Sequence, residues 1–169
     1  MMSQARANVA KAWTKKALAA GALIAALLMG GLVALPAHAS STTFTVNSTA
    51  DLSDLDTTDD VCDTDAAAGR RCTLRAAIEQ ANATSGADII NFHISGTGIK
   101  NITPTALHGE LPPITEQLTI NGYSQRGASP NTLAKGTNAK LKVELDGTSA
   151  GDFVDGLTIE APNLWLRGL

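Results

Sequence analysis

Leu118-Thr119-Ile120-Asn121-Gly122 is the stretch on which the reading of this chain turns. Its last three residues, apolar, polar and glycine, recur as Leu145-Asp146-Gly147 and as Leu166-Arg167-Gly168, at similar intervals along the chain. Each triplet closes a short β-prone run. A recurrence of this length, made of short strands and turns, predicts a solenoid, because one such unit cannot bury its apolar side alone and must stack on its neighbours. On this reading one coil of a parallel β-helix runs from one triplet to the next, from Gly122 to Gly147 and from Gly147 to Gly168. Apolar side chains stack inward in ladders, and Gly or Asn permits the tight corners. The competing reading is a β-sandwich with coincidental glycine turns.

The flanking chain carries the same signal. Ile90, Phe92 and Ile94 share one face of a run beginning at Asp88, and Leu141, Val143 and Leu145 alternate with Lys142 and Glu144. Ile114 to Ile120 is β-prone, and Leu157 with Ile159 and Leu164 with Leu166 form shorter pairs. Residues 95–113, with Gly96, Gly98, Pro104, Pro112 and Pro113, read as loop. Upstream, Thr43-Phe44-Thr45-Val46 is a short strand candidate. Thr73 can cap a helix in which Leu74, Ala77, Ile78 and Ala81 form one apolar face. Arg75 and Glu79 fall at i,i+4 on another face, in the weaker orientation.

Residues 1–39 differ from everything after them. Arg6, Lys11, Lys15 and Lys16 precede an apolar run from Ala17 to Leu35, then Pro36 and Ala37-His38-Ala39. A basic start, an apolar centre and an Ala-x-Ala box predict a secretory signal cleaved between Ala39 and Ser40. The run approaches membrane-spanning length, so an uncleaved anchor is the other reading, and the only membrane contact expected. The chain is therefore expected to be secreted, periplasmic or at the cell surface. Four of the basic residues belong to this segment, and every acidic residue lies beyond it. The part after Ala39 is thus clearly more acidic than the whole chain, whose net charge is −3. Such a charge argues against nucleic acid as a partner.

Export bears on Cys62 and Cys72, the two cysteines of the chain. In an oxidising compartment such a pair is expected to form a disulfide. A metal pair fits poorly without a nearby histidine, and a reactive thiol is the remaining alternative. Aspartates crowd the stretch from Asp51 to Asp65. Asp54, Asp56, Asp59, Asp60 and Asp63 could supply oxygens to a calcium ion, although the spacing is not that of an EF-hand. The alternative is a solvated acidic loop. No cofactor is required by the pattern.

Cys72-Thr73-Leu74-Arg75-Ala76-Ala77 resembles the Cys-Ser-Leu-Arg-Glu-Ala signature of the CSLREA domain. The resemblance extends to positions 44–49, the Asp-rich chain up to Cys62, and positions 80–82, 87–90, 111–114 and 118–122, nearly all of the chain after the signal. Thr73 stands for Ser and keeps a capping hydroxyl. Ala76 stands for Glu and removes the reciprocal half of a capping box. With the signal at 1–39 set apart, the resemblance implies a mainly β chain: a cap with a disulfide loop and one short helix at 40–86, and the first coils of a right-handed parallel β-helix at 87–169. It also implies a surface or secreted bacterial protein. Because the sequence stops at Leu169 in mid-pattern, it predicts the front of a longer β-helix or a truncated reading frame.

The chemistry expected of such a chain is sparse. Asp146, Asp152, Asp155 and Glu160 could be the carboxylates of a carbohydrate-active site, or corner and turn residues. His93 and His108 lack a Ser or Cys nucleophile context. No catalytic residue is assigned. The function expected is that of a non-catalytic exported module, structural or adhesive, contacting extracellular polysaccharide or other surface components. The alternative is the N-terminal part of a polysaccharide lyase or glycoside hydrolase whose catalytic coils lie elsewhere.

Overall fold

Alternation sets the first strand. In β1, Thr43–Val46, Phe44 and Val46 point inward and are buried, while Thr43 and Thr45 face solvent. The computed structural model describes residues 40–66 and 70–169. The expected signal at 1–39 lies outside the described residues, as does the 67–69 part of the cysteine loop.

Five further strands follow: β2 (Asp88–Phe92), β3 (Lys100–Ile102), β4 (Leu118–Asn121), β5 (Val143–Leu145) and β6 (Leu164–Arg167). One helix, α1 (Leu74–Ala83), lies between β1 and β2. The fold is thus mostly sheet, and the sheets are parallel. One sheet has the order β1-β2-β4-β6 and the other pairs β3 with β5. From β2 onward the chain alternates between them. A third parallel link, Ile114 with Ile159, stands apart from both.

Register shows what the repeated triplets are. Ile120 pairs with Leu166 and Asn121 with Arg167 in one ladder, whereas Leu145 ends β5 in the other sheet, opposite Ile102. The steps from one triplet to the next are therefore successive passages between sheets. A full return to the same ladder spans two such steps, from Ile120 to Leu166. The expected coil, one triplet to the next, is corrected accordingly. What Ile120-Asn121-Gly122 and Leu145-Asp146-Gly147 share is local: each leads into a 3-10 turn, Gly122–Ser124 and Gly147–Ser149. The previous return, from Asp88 to Leu118, is shorter. The longer circuit includes an excursion between β4 and β5 closed by an antiparallel bridge of Ser129 with Lys140.

The interior follows the ladders. Ile90, Phe92, Leu118 and Ile120 are fully buried, with Ile102 and Val143 on the second sheet and Ile114 on the third link. Leu141 is exposed and lies outside β5, so the expected face of Leu141, Val143 and Leu145 keeps only its last two members. Leu157 and Ile159 form no strand, and Ile159 takes part only in its single bridge.

Where β2 ends, side chains continue the pairing. Gln125, itself buried, accepts from the Ile94 amide and donates to the Ile94 carbonyl, both at 2.8 Å. Ser124 Oγ accepts from the Phe92 amide at 2.7 Å. On the outer face Asn121 donates to Asn91 Oδ1 at 3.2 Å and accepts from Arg167 Nε at 3.0 Å, so three successive strands are linked through one polar row.

Candidate functional site

Side-chain hydrogen bonds from several segments gather around the start of α1. Thr73 caps the helix, accepting from the Ala76 amide at 3.1 Å while donating to the Leu52 carbonyl at 2.5 Å. Cys72 precedes it in a disulfide with Cys62, with Cα atoms 5.3 Å apart. Asn47 holds the same point: its Oδ1 accepts from the Cys72 amide and its Nδ2 donates to the Arg70 carbonyl. The expected bridge between acidic loop and helix start is present.

Arg75 is the centre of the junction, and its partners differ from the expected i,i+4 pairing with Glu79. Its Nε donates to Asp51 Oδ1 at 2.7 Å, and its other nitrogens donate to the carbonyls of Glu110 and Gly109 at 2.7 and 2.9 Å. The other Asp51 oxygen accepts from the amide and hydroxyl of Thr105 at 2.7 and 3.0 Å. The two side chains are 5% and 3% exposed. Burial pushes the Asp51 carboxyl up, but the hydrogen bonds from Arg75 and Thr105 and the guanidinium charge outweigh it, so its pKa lies below the usual carboxylate range. Glu79 instead accepts from the Asp54 amide at 2.7 Å. A planar donor with five N–H groups suits a site that must bind one carboxylate and two carbonyls at once.

The rest of α1 is anchored in the same way. Gln80 donates to the Thr57 carbonyl, and Asn82 bonds both the Pro113 carbonyl and the Thr115 amide. Leu74, Ala77, Ile78 and Ala81 are buried as expected, and Ala76 is buried too. The motif at 72–77 is therefore a hub joining the acidic loop, the helix and the 104–115 segment.

The acidic loop is organised by its own carboxylates. Asp54 accepts from the Asp56 and Asp63 amides, Asp56 from the amide and hydroxyl of Thr58, and Asp59 from the Val61 amide. Asp60 occupies a left-handed position with φ 59°. Burial raises the Asp54 pKa, whereas hydrogen bonds from Thr58 lower that of Asp56. Among the described residues no three of His, Cys, Asp or Glu are grouped to hold a metal ion. The carboxylates of Asp54, Asp56 and Asp59 are engaged with amides of the loop itself.

Pockets also open on the surface of the described residues. A pocket of about 180 Å³ is lined by Pro104, Glu110, Leu145, Phe153 and Asp155, and Glu110 accepts from the Asp155 amide there. A groove of about 520 Å³ is lined by Ser48, Thr49, Ser95, Lys100 and Asn101. The Lys100 ammonium donates to the Ser95 and Thr97 carbonyls at 2.8 and 3.1 Å, so it braces the turn before β3. Asp146 accepts from the Thr148 amide at 3.0 Å and is a corner residue. Among the described residues no helix is long and apolar enough to cross a membrane. No family model, curated protein or solved structure matches the chain.

Proposed function

We propose that this chain is an exported, non-catalytic module of the CSLREA type: the capped start of a right-handed parallel β-helix that serves a structural or adhesive role at or beyond the cell surface. The observation that carries the reading is the set of three parallel links, two sheets and the Ile114–Ile159 bridge, visited repeatedly by one chain. A path of that kind is what a coil with three faces requires. Right-handedness is supported by a general rule: β1, α1 and β2 make a parallel crossover, and such crossovers are right-handed in about 98% of cases. Export is supported by the pattern of residues 1–39 and by the disulfide, which belongs to an oxidising compartment.

A structural role suits the chemistry of the junction, where charge and hydrogen-bonding capacity are spent on holding elements together. Contact with polysaccharide suits the groove at Thr49 and Asn101, whose hydroxyl and amide groups match the hydroxyls of a sugar chain. The test is to express the full chain in an exporting host, locate it by labelling intact cells and the medium, and challenge the purified product with a polysaccharide panel. Surface or medium location, with binding weakened by Asn101→Ala and no bond cleavage, supports the reading. Retention in the cytosol overturns it, and release of new sugar ends would show an enzyme.

A further inference from the structure

Between β4 and β5 the chain makes an excursion that carries charge of one sign. From Gln117 to Val143 the sequence holds Arg126, Lys135, Lys140 and Lys142 and no acidic residue, in a chain whose net charge is −3. Arg126, Lys135 and Lys140 are exposed, and Lys142 is half-buried. None of the four joins an ion pair among the described residues, where Arg71 is held to Asp65 and Arg75 to Asp51. Other cations are occupied differently: Lys100 donates to the Ser95 and Thr97 carbonyls, and Arg167 to Asn121.

The excursion is held in shape by its own hydrogen bonds. Ser129 and Lys140 exchange backbone bonds at 3.0 and 2.8 Å. Beyond that bridge, Asn131 Oδ1 accepts from the Leu133 and Asn138 amides, both at 3.1 Å, and its Nδ2 donates to the Leu133 and Gly136 carbonyls. Asn138 in turn accepts from the Thr132 amide and donates to the Thr132 hydroxyl, both at 2.9 Å. On the other side of the bridge, an added Cβ on Gly127 would lie 3.6 Å from Lys142 Cε. This contact and the bridge gather Arg126, Lys140 and Lys142 at the base and leave Lys135 towards the tip. The Lys100 amide donates to the Lys142 carbonyl at 2.8 Å, which fastens the base to β3.

We propose that this excursion is a docking surface for an anionic polysaccharide, a sugar chain bearing carboxylate or sulfate groups. The choice of a sugar rests on the polysaccharide reading above, but the surface is a different one: none of the four cations lines the groove at Thr49 and Asn101. Charge complementarity selects an anion, which ammonium and guanidinium groups meet through charge-assisted hydrogen bonds. The spread of charge selects a slender one. All the acidic residues lie outside the excursion, and fields in physiological salt fade over about 8 Å. A single sugar chain on the protrusion therefore escapes the carboxylates of the body, whereas a duplex or an anionic bilayer is broad enough to meet them.

The experiment measures binding of the full chain to dextran sulfate, hyaluronate and uncharged dextran, at low and at physiological salt. A charged polymer should bind more tightly than dextran and weaken as salt rises, and the better of dextran sulfate and hyaluronate tells sulfate from carboxylate. Replacing Lys135, Lys140 and Lys142 together by Gln should lower that affinity about tenfold at low salt and flatten its salt dependence. Arg126→Gln alone, at an exposed position, should give a smaller loss in the same direction and serves if the triple replacement melts earlier than the parent. Equal affinity for charged and uncharged dextran, or unchanged affinity in both variants, overturns the proposal. So does tighter binding to duplex DNA or to phosphatidylglycerol vesicles. The groove is tested separately by Asn101→Ala: if it alters no sugar binding while the lysine replacements do, the groove reading falls and the excursion stands, and the opposite pattern removes the excursion.

Discussion

Arg75 illustrates how much one side chain carries here. It faces a single carboxylate and two backbone carbonyls, with almost no access to water. Removing one partner of such a pair strands the other charge, so Asp51→Asn or Arg75→Met should each destabilise the fold by about 3–5 kcal/mol. Urea unfolding checks this, and the double replacement should cost less than the two single losses added together, because neither charge is then stranded. The pair also sets an acid limit. The Asp51 pKa is lower folded than unfolded, so its contribution is fully present above the unfolded value of about 3.9 and is lost as pH falls through the folded value. Melting curves between neutral and strongly acid pH should show that loss, and Asp51→Asn should flatten it. Gln125 is the second such residue. Gln125→Leu leaves the Ile94 amide and carbonyl without partners and should cost about 1–3 kcal/mol in the same unfolding measurement. Neither role was readable from sequence. Arg75 lies one helical turn from Glu79, and local spacing favours that pair, while Asp51 comes near only once β1, the acidic loop and α1 have assembled.

At the scale of elements, the legible parts were those with a local signature. β1 alternates, and α1 has its cap and its apolar face within a single short segment. β3 carries no strand signature in the sequence for a physical reason: Lys100 occupies an inward, buried position, which breaks the apolar alternation that marks a strand. The triplet repeat was visible but misassigned, since the same corner chemistry serves both sheets and sequence does not say which sheet a corner leaves. The disulfide acts at this scale too. It closes a short loop against the helix start, and the chain-entropy relation assigns it about 3 kcal/mol. Reduction, or Cys62→Ser with Cys72→Ser, should lower stability by about that amount, read as a shift of the urea midpoint. Fraying of the acidic loop, followed by hydrogen exchange, should exceed any change in β4.

For the whole molecule, parallel pairing of strands distant in sequence is the organising interaction, and glycine sets how closely two turns approach. A Cβ on Gly122 would overlap the Gly168 carbonyl oxygen, so only glycine lets the turn after β4 meet the turn after β6. Gly122→Ala should detach β6 while sparing β1 and β2, which is expected to appear as faster amide exchange confined to Leu164–Arg167 and their neighbours. The candidate site was least legible at this scale. Its parts, the 72–77 motif, Asp51, Thr105 and Gly109, come from well-separated segments, and their assembly depends on the path of the chain through both sheets.

The ladders also bear on time. Phe44 meets Ile90 only across the acidic loop and α1, and Ile120 meets Leu166 only after the chain has passed through the second sheet. Every ladder joins strands far apart in sequence, and each pairing requires a long loop to close before any contact rewards it. A chain built this way condenses slowly. Slow condensation suits the proposed export, since a polypeptide that is to cross a membrane must stay threadable until it has done so.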